Sequence, residues 1–215
     1  MSNLPTNITN LTTAIDKVLA RADVNTSEGK HYLRLNKGGI WLYGKDDIEV
    51  EEGSQWAINP NSFALGYIAW AEESSRPLGE EMRPIADDPI VEADLPDVGA
   101  RWEQQVGMQM VCISGEDKGE EVIFKTSSKG GREGFNTLLR DVMATLQANQ
   151  GTDKVVPVVE LEVESYKHQK YGTIFKPVFN IVKWTTLSST LDDVVEEEPA
   201  AEPEPKPARR RRRKA

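Results

Sequence analysis

Apolar and charged residues alternate most regularly across residues 155–184, VVPVVELEVESYKHQKYGTIFKPVFNIVKW. Val159, Leu161 and Val163 alternate with Glu160, Glu162 and Glu164, the period of a strand with one face buried and one wet. Ile174, Phe175, Val178, Phe179, Ile181, Val182 and Trp184 form a second run, too β-branched and aromatic for a surface helix, in which Pro177 marks an edge or a bulge. The two runs predict a long hairpin. Its turn, Tyr166-Lys167-His168-Gln169-Lys170-Tyr171-Gly172, sets cations beside flat rings, a combination that suits a nucleic-acid backbone carrying stackable bases. A solvated turn whose tyrosines clip the strand ends accounts for the same residues equally well.

Upstream, Thr9-Asn10 can cap a short helix in which Leu11, Ala14, Ile15, Val18 and Leu19 share a face, a packing arm within residues 1–30. Strand patterns follow from His31, first HYLRLNKGGIWLYG with Gly38-Gly39 as a bulge or kink, then IEVEEGSQWAINP and SFALGYIAW. Trp41, Tyr43, Trp56, Phe63, Tyr67 and Trp70 are offered as core rings or as base platforms. Residues 72–100 hold nine acids and four prolines, which predicts a long acidic loop with little regular structure. That loop is either a solvated surface or an acidic flap over a basic groove. A hairpin over residues 102–128 leads into KTSSKGGR and an amphipathic helix, REGFNTLLRDVMATLQ, with Phe135, Leu138, Leu139, Val142, Met143 and Leu146 on its buried stripe. Glycines and cations at the helix start suit an anion cradle, although the GxxxxGK[ST] pattern is absent and ordinary capping explains them too.

Charge alters this picture only when it is divided. The net charge of −9 lies wholly in residues 1–100, which carry 17 acids against 8 bases, while residues 101–191 balance at 11 and 11, so a local basic groove remains open to the second half. One cysteine, Cys112, excludes an internal disulfide, and with only His31 and His168 a Cys/His zinc site is not expected. Neither a membrane span nor a signal peptide is recognisable, so a cytoplasmic protein is expected. Glu160, Glu162 and Glu164 could suggest a metal-dependent nuclease, but alternating charge is what an exposed strand face needs. Without a nucleophile elbow, HExxH or Walker pattern, no enzymatic activity and no cofactor are expected.

Several strands, one amphipathic helix and two more strands predict a mainly β protein, an OB-fold-like barrel over residues 31–186 with extra N-terminal strands. The blocks WAINPNSFALGYIAW, VIFKTSSKGGREGFNTLL and KVVPVVELEVESYKHQKYGTIFKPVFNIVKW, with the acidic, proline-rich tail, resemble bacteriophage and prophage single-stranded DNA-binding proteins. The resemblance implies sequence-independent binding of single-stranded DNA in replication or recombination within a bacterial host cell, with the tail recruiting replication or recombination proteins. Against that pattern, such tails end in acid and a terminal aromatic, whereas this chain ends ARRRRRKA. The alternative is a phage structural or assembly protein whose basic tail meets nucleic acid or a partner. Self-association as a homo-oligomer is left open.

The candidate DNA-binding residues are Lys125, Lys129 and Arg132 at the helix start and Tyr166, Lys167, Lys170, Tyr171 and Lys176 around the hairpin tip. Residues 187–215, acidic and proline-rich and then basic, lack the apolar content to fold and are expected to be disordered. A chain ending at Thr186 should therefore keep the parent's cooperative unfolding transition; a large fall in its midpoint or steepness would place the domain boundary elsewhere.

Overall fold

The computed structural model describes residues 30–72, 76–148 and 153–186. The helix expected over residues 11–19 and the expected disordered tail lie outside the described residues. The described chain forms β1 (His31–Leu35), β2 (Trp41–Tyr43), β3 (Ile48–Glu49), β4 (Gln55–Ile58), β5 (Ala64–Trp70), β6 (Pro77–Pro84), β7 (Trp102–Cys112) and β8 (Glu121–Thr126). The helix α1 (Lys129–Ala148) follows, then β9 (Lys154–His168) and β10 (Gly172–Thr186). Among the described residues the protein is mainly β with one α-helix, as the alternating patterns predict.

Hydrogen-bonded strands run β10-β9-β4-β7-β8-β1-β2-β3 in one curled, half-barrel sheet, with β5 pairing β7 and β6 off that path. β7 joins its parts: one edge pairs with β8, while the other pairs with β5 over its first half and with β4 at Met110–Cys112. Between β4 and β5 the chain turns at Pro60–Ser62, where the Asn59 side chain accepts the Asn61 N–H. The ladder survives this kink, because Ser62 Oγ accepts the Gln109 N–H at 2.8 Å and the Asn59 N–H donates to the Gln109 carbonyl at 3.0 Å. β4 and β5 therefore act as one bent strand along β7. Every pairing is antiparallel except that of β1 with β8.

The curl brings β2 over the β9–β10 hairpin. Trp41 lies 5.9 Å from the Phe124 ring and 5.7 Å from the Phe179 ring, and its Nε1–H donates to the Glu162 carbonyl at 3.1 Å. Trp41, Tyr43, Trp56 and Phe63 are all buried in one core, whereas Tyr67 is half-buried and Trp70 is exposed. Tyr43 donates its hydroxyl proton to Asp117 at 2.6 Å, and its burial followed by that bond raises its pKa. Buried Cys112 stays protonated at neutral pH, its pKa pushed up to about 11 chiefly by loss of solvent.

Three expectations need correction. The acidic stretch 72–100 is not wholly irregular, because residues 77–84 form β6, an outer strand on β5. Its sequence PLGEEMRP has no alternation to read; it takes its register from β5 and buries only Met82. Gly38-Gly39 make the turn of the β1–β2 hairpin and not a bulge, with Gly39 at φ +82° and the Phe175 ring against its Cα, where a Cβ would lie 2.6 Å from it. In α1, Phe135, Leu138 and Val142 are buried and Leu139 and Leu146 partly so, but Met143 is 54% exposed. The helix is turned so that Gly134 meets β10: a Cβ there would stand 2.4 Å from the Pro177 carbonyl oxygen, which carries the far side of the stripe away from the sheet.

This orientation gives a paired expectation. Phe135→Ala, which empties a site T-stacked on Phe63 at 5.8 Å, should lower unfolding free energy by about 3–5 kcal/mol, and Met143→Ala should change it by less than about 0.5 kcal/mol in denaturant titrations.

Candidate nucleic-acid interface

β9 and β10 pair from Lys154 with Thr186 out to His168 with Gly172, yet β4 supports β9 only at Val158, Val159 and Glu160. Beyond that support the hairpin continues as a two-stranded arm, and residues 164–173 are all exposed. At its tip the Lys170 N–H donates to His168 Nδ1 at 3.1 Å, the His168 and Tyr171 rings lie 4.9 Å apart, and the Lys170 ammonium sits 5.3 Å from the Tyr171 ring centroid. Tyr171 is 66% exposed and Tyr166 is 44% exposed. The tip residues thus order one another while leaving ring surface to solvent.

Residues directly opposite in a ladder share a face. Glu164 faces Lys176 and Tyr166 faces Ile174 on one side of the arm, and Lys167 with Thr173 lies on the other. Lys176 meets Glu164 at 2.7 Å, and this bond raises its pKa, with Glu133 adding a smaller effect in the same direction. Gly130 packs on Lys176, so the start of α1 stands beside the base of the arm. There Lys129 is well exposed and only 3.9 Å from Glu133, while Arg132 donates from Nη1 to Gln104 at 2.6 Å. The expected anion cradle is partly filled by the chain's own cap, because Ser128 Oγ accepts the Gly131 N–H at 3.1 Å.

The structure sets Gly130 of the helix start, next to Lys129, against Lys176 and puts Tyr166, Lys167, Lys170 and Tyr171 on the adjoining arm, whereas Arg132 turns away to Gln104 of β7. It does not bring Lys125 to them. Thr126 faces the helix, packed where a Gly131 Cβ would be, so its neighbour Lys125 points through the opposite face of the sheet. There Lys125 is 11% exposed and bound to Glu80 at 3.0 Å, and Glu80 also accepts from Gln105 at 2.6 Å. Sequence reading could not foresee this partner, which belongs to the unforeseen β6. It also missed Gln104, although alternation along β7 would have placed Gln104 on the face of Val106.

No family model, curated protein or solved structure matches this chain. Among the described residues no helix is long and apolar enough to cross a membrane, and no group of three or more His, Cys, Asp or Glu side chains is placed to hold a metal ion. Two of the three glutamates of β9 are engaged otherwise: Glu162 accepts from Asn180 at 2.7 Å and Glu164 holds Lys176.

These placements separate two kinds of lysine. Lys125→Ala leaves a partly buried carboxylate without its cation and should destabilise the fold by about 1–3 kcal/mol, whereas Lys129→Ala should leave the thermal midpoint nearly unchanged.

Proposed function

We propose that the protein binds single-stranded DNA without regard to sequence, in the replication or recombination of a bacteriophage or prophage genome, on a barrel of OB type. The observation that carries this reading is the arm: ten successive exposed residues that bury nothing for the fold yet present Tyr166 and Tyr171 beside Lys167, His168 and Lys170. Rings offer platforms to any base, and cations offer neutralisation to any phosphate, so neither selects a sequence. Lys129, at the neighbouring helix start, extends the positive track toward the body of the protein.

The strand order supports the OB reading. Taking β4 and β5 as one bent strand, the order β10-β9-β4-β7-β8 with α1 between β8 and β9 is that of a five-stranded barrel whose helix follows its third strand. β1 and β2 stand where such a barrel would close, between β8 and the final hairpin. The β9–β10 turn then occupies the position of the loop between the fourth and fifth strands, one of the two loops that hold oligonucleotides in this architecture.

Fluorescence anisotropy with single-stranded and duplex oligonucleotides of equal length, over a salt series, tests the proposal. Single-strand preference with a steep salt slope is expected; preference for duplex, or no binding, would overturn it. Lys170→Ala should lower the slope of log affinity against log salt by about 0.7, while Tyr171→Ala should cost about 1–3 kcal/mol with the slope nearly unchanged.

A further inference from the structure

Between α1 and the sheet formed by β5, β6 and β7 lie two adjoining cavities, each of about 390 Å³. Tyr67, Gln104 and Arg132 line both, so they are halves of one cleft. Register accounts for this: Tyr67 pairs with Gln104, which puts the ring and the amide side by side on the helix-facing side of the sheet. Arg83 stands in one half and Arg101 in the other, and neither makes an ion pair among the described residues. Carboxylates are present too, Asp87 and Asp88 in the first half and Glu92 and Glu103 in the second.

Arg132 is incompletely used. Gln104 holds its Nη1 at 2.6 Å and so fixes the plane of the guanidinium, but its Nε–H is buried with no acceptor among the described residues. A buried donor without a partner is costly, and a guanidinium fixed in one plane is suited to a phosphate that accepts from two of its N–H groups at once. Tyr67 supplies a ring one cavity wall away. Asp87, Asp88 and Glu92 belong to the segment between β6 and β7 and Glu103 to β7 itself, so a phosphate would enter beside carboxylates, while the arginines and Tyr67 sit on strands, at a strand boundary and on the helix.

We infer that this cleft takes one nucleotide unit of the single strand, its phosphate on Arg132 and Arg101 and its base against Tyr67. The inference rests on the single-strand reading above and adds to the arm a second contact, on the body of the protein. It also gives Arg132 a role apart from Lys125, which lies on the opposite face.

The test uses the full chain and an oligo-dT carrying one 5-iodouracil, with photo-crosslinks mapped by mass spectrometry, beside anisotropy over a salt series. A crosslink at Tyr67 is expected, with Arg132→Gln and Arg101→Gln each lowering the salt slope by about 0.7 and Tyr67→Ala weakening binding about 5- to 150-fold. Arg132→Lys, which keeps the charge and loses the fork, should retain the slope but bind more weakly than the parent. Should Arg132→Gln fail to fold, exposed Arg101 decides the matter. If the parent binds oligo-dT while the folded cleft variants bind like it and crosslinks fall only on Tyr166 or Tyr171, the cleft is wrong and the single-strand reading stands. If the parent does not bind oligo-dT, both are overturned.

Discussion

The curl of the sheet depends on Trp41. One end of the strand path is the short β1–β2–β3 meander and the other is the β9–β10 hairpin, far apart in hydrogen-bonding order yet both needed to enclose the core. Trp41 joins them through its ring, between Phe124 and Phe179, and through its indole N–H on the Glu162 carbonyl. Apolar burial supplies most of such a contact's stability, but the hydrogen bond gives it direction, setting the indole of β2 on one carbonyl of β9. Beside that contact Phe175 lies over Gly39, which ties the base of the arm to the β1–β2 turn.

Charge is arranged with the same economy of position. The acids that make the chain negative as a whole do not form a uniform field; those of β6 and the segment after it sit beside particular bases, Glu80 on Lys125 and Asp87, Asp88 and Glu92 around the arginine cleft. The arm tip carries cations with no acid beside them in the turn. Among the described residues the arm tip therefore offers a polyanion cations unopposed by acids of the same turn, despite a net charge of −9.

Elements whose signal is local were legible in the chain. The β9–β10 hairpin and α1 each declare themselves by a period, two in one and 3.6 in the other, and both fall within a few residues of where the pattern puts them. What escaped depends on partners distant in sequence. β6 has neither alternation nor β-branched residues and becomes a strand because β5 offers it an edge. Lys125 and Arg132, seven residues apart and both basic, looked like one cluster, but the strand ends and the helix begins between them, and they emerge on opposite faces. The Arg132–Gln104 bond crosses 28 positions, and nothing in either neighbourhood announces it.

The indole bond to Glu162 also bears on self-assembly. Past Glu160, β9 has no strand on its outer edge among the described residues, and a bare edge of that kind invites another chain to add itself as the next strand. At the Glu162 carbonyl, just past that point, an indole N–H already occupies an acceptor that an incoming backbone would need. The side chain that closes the half-barrel thus also takes up a backbone acceptor that an added strand would otherwise use.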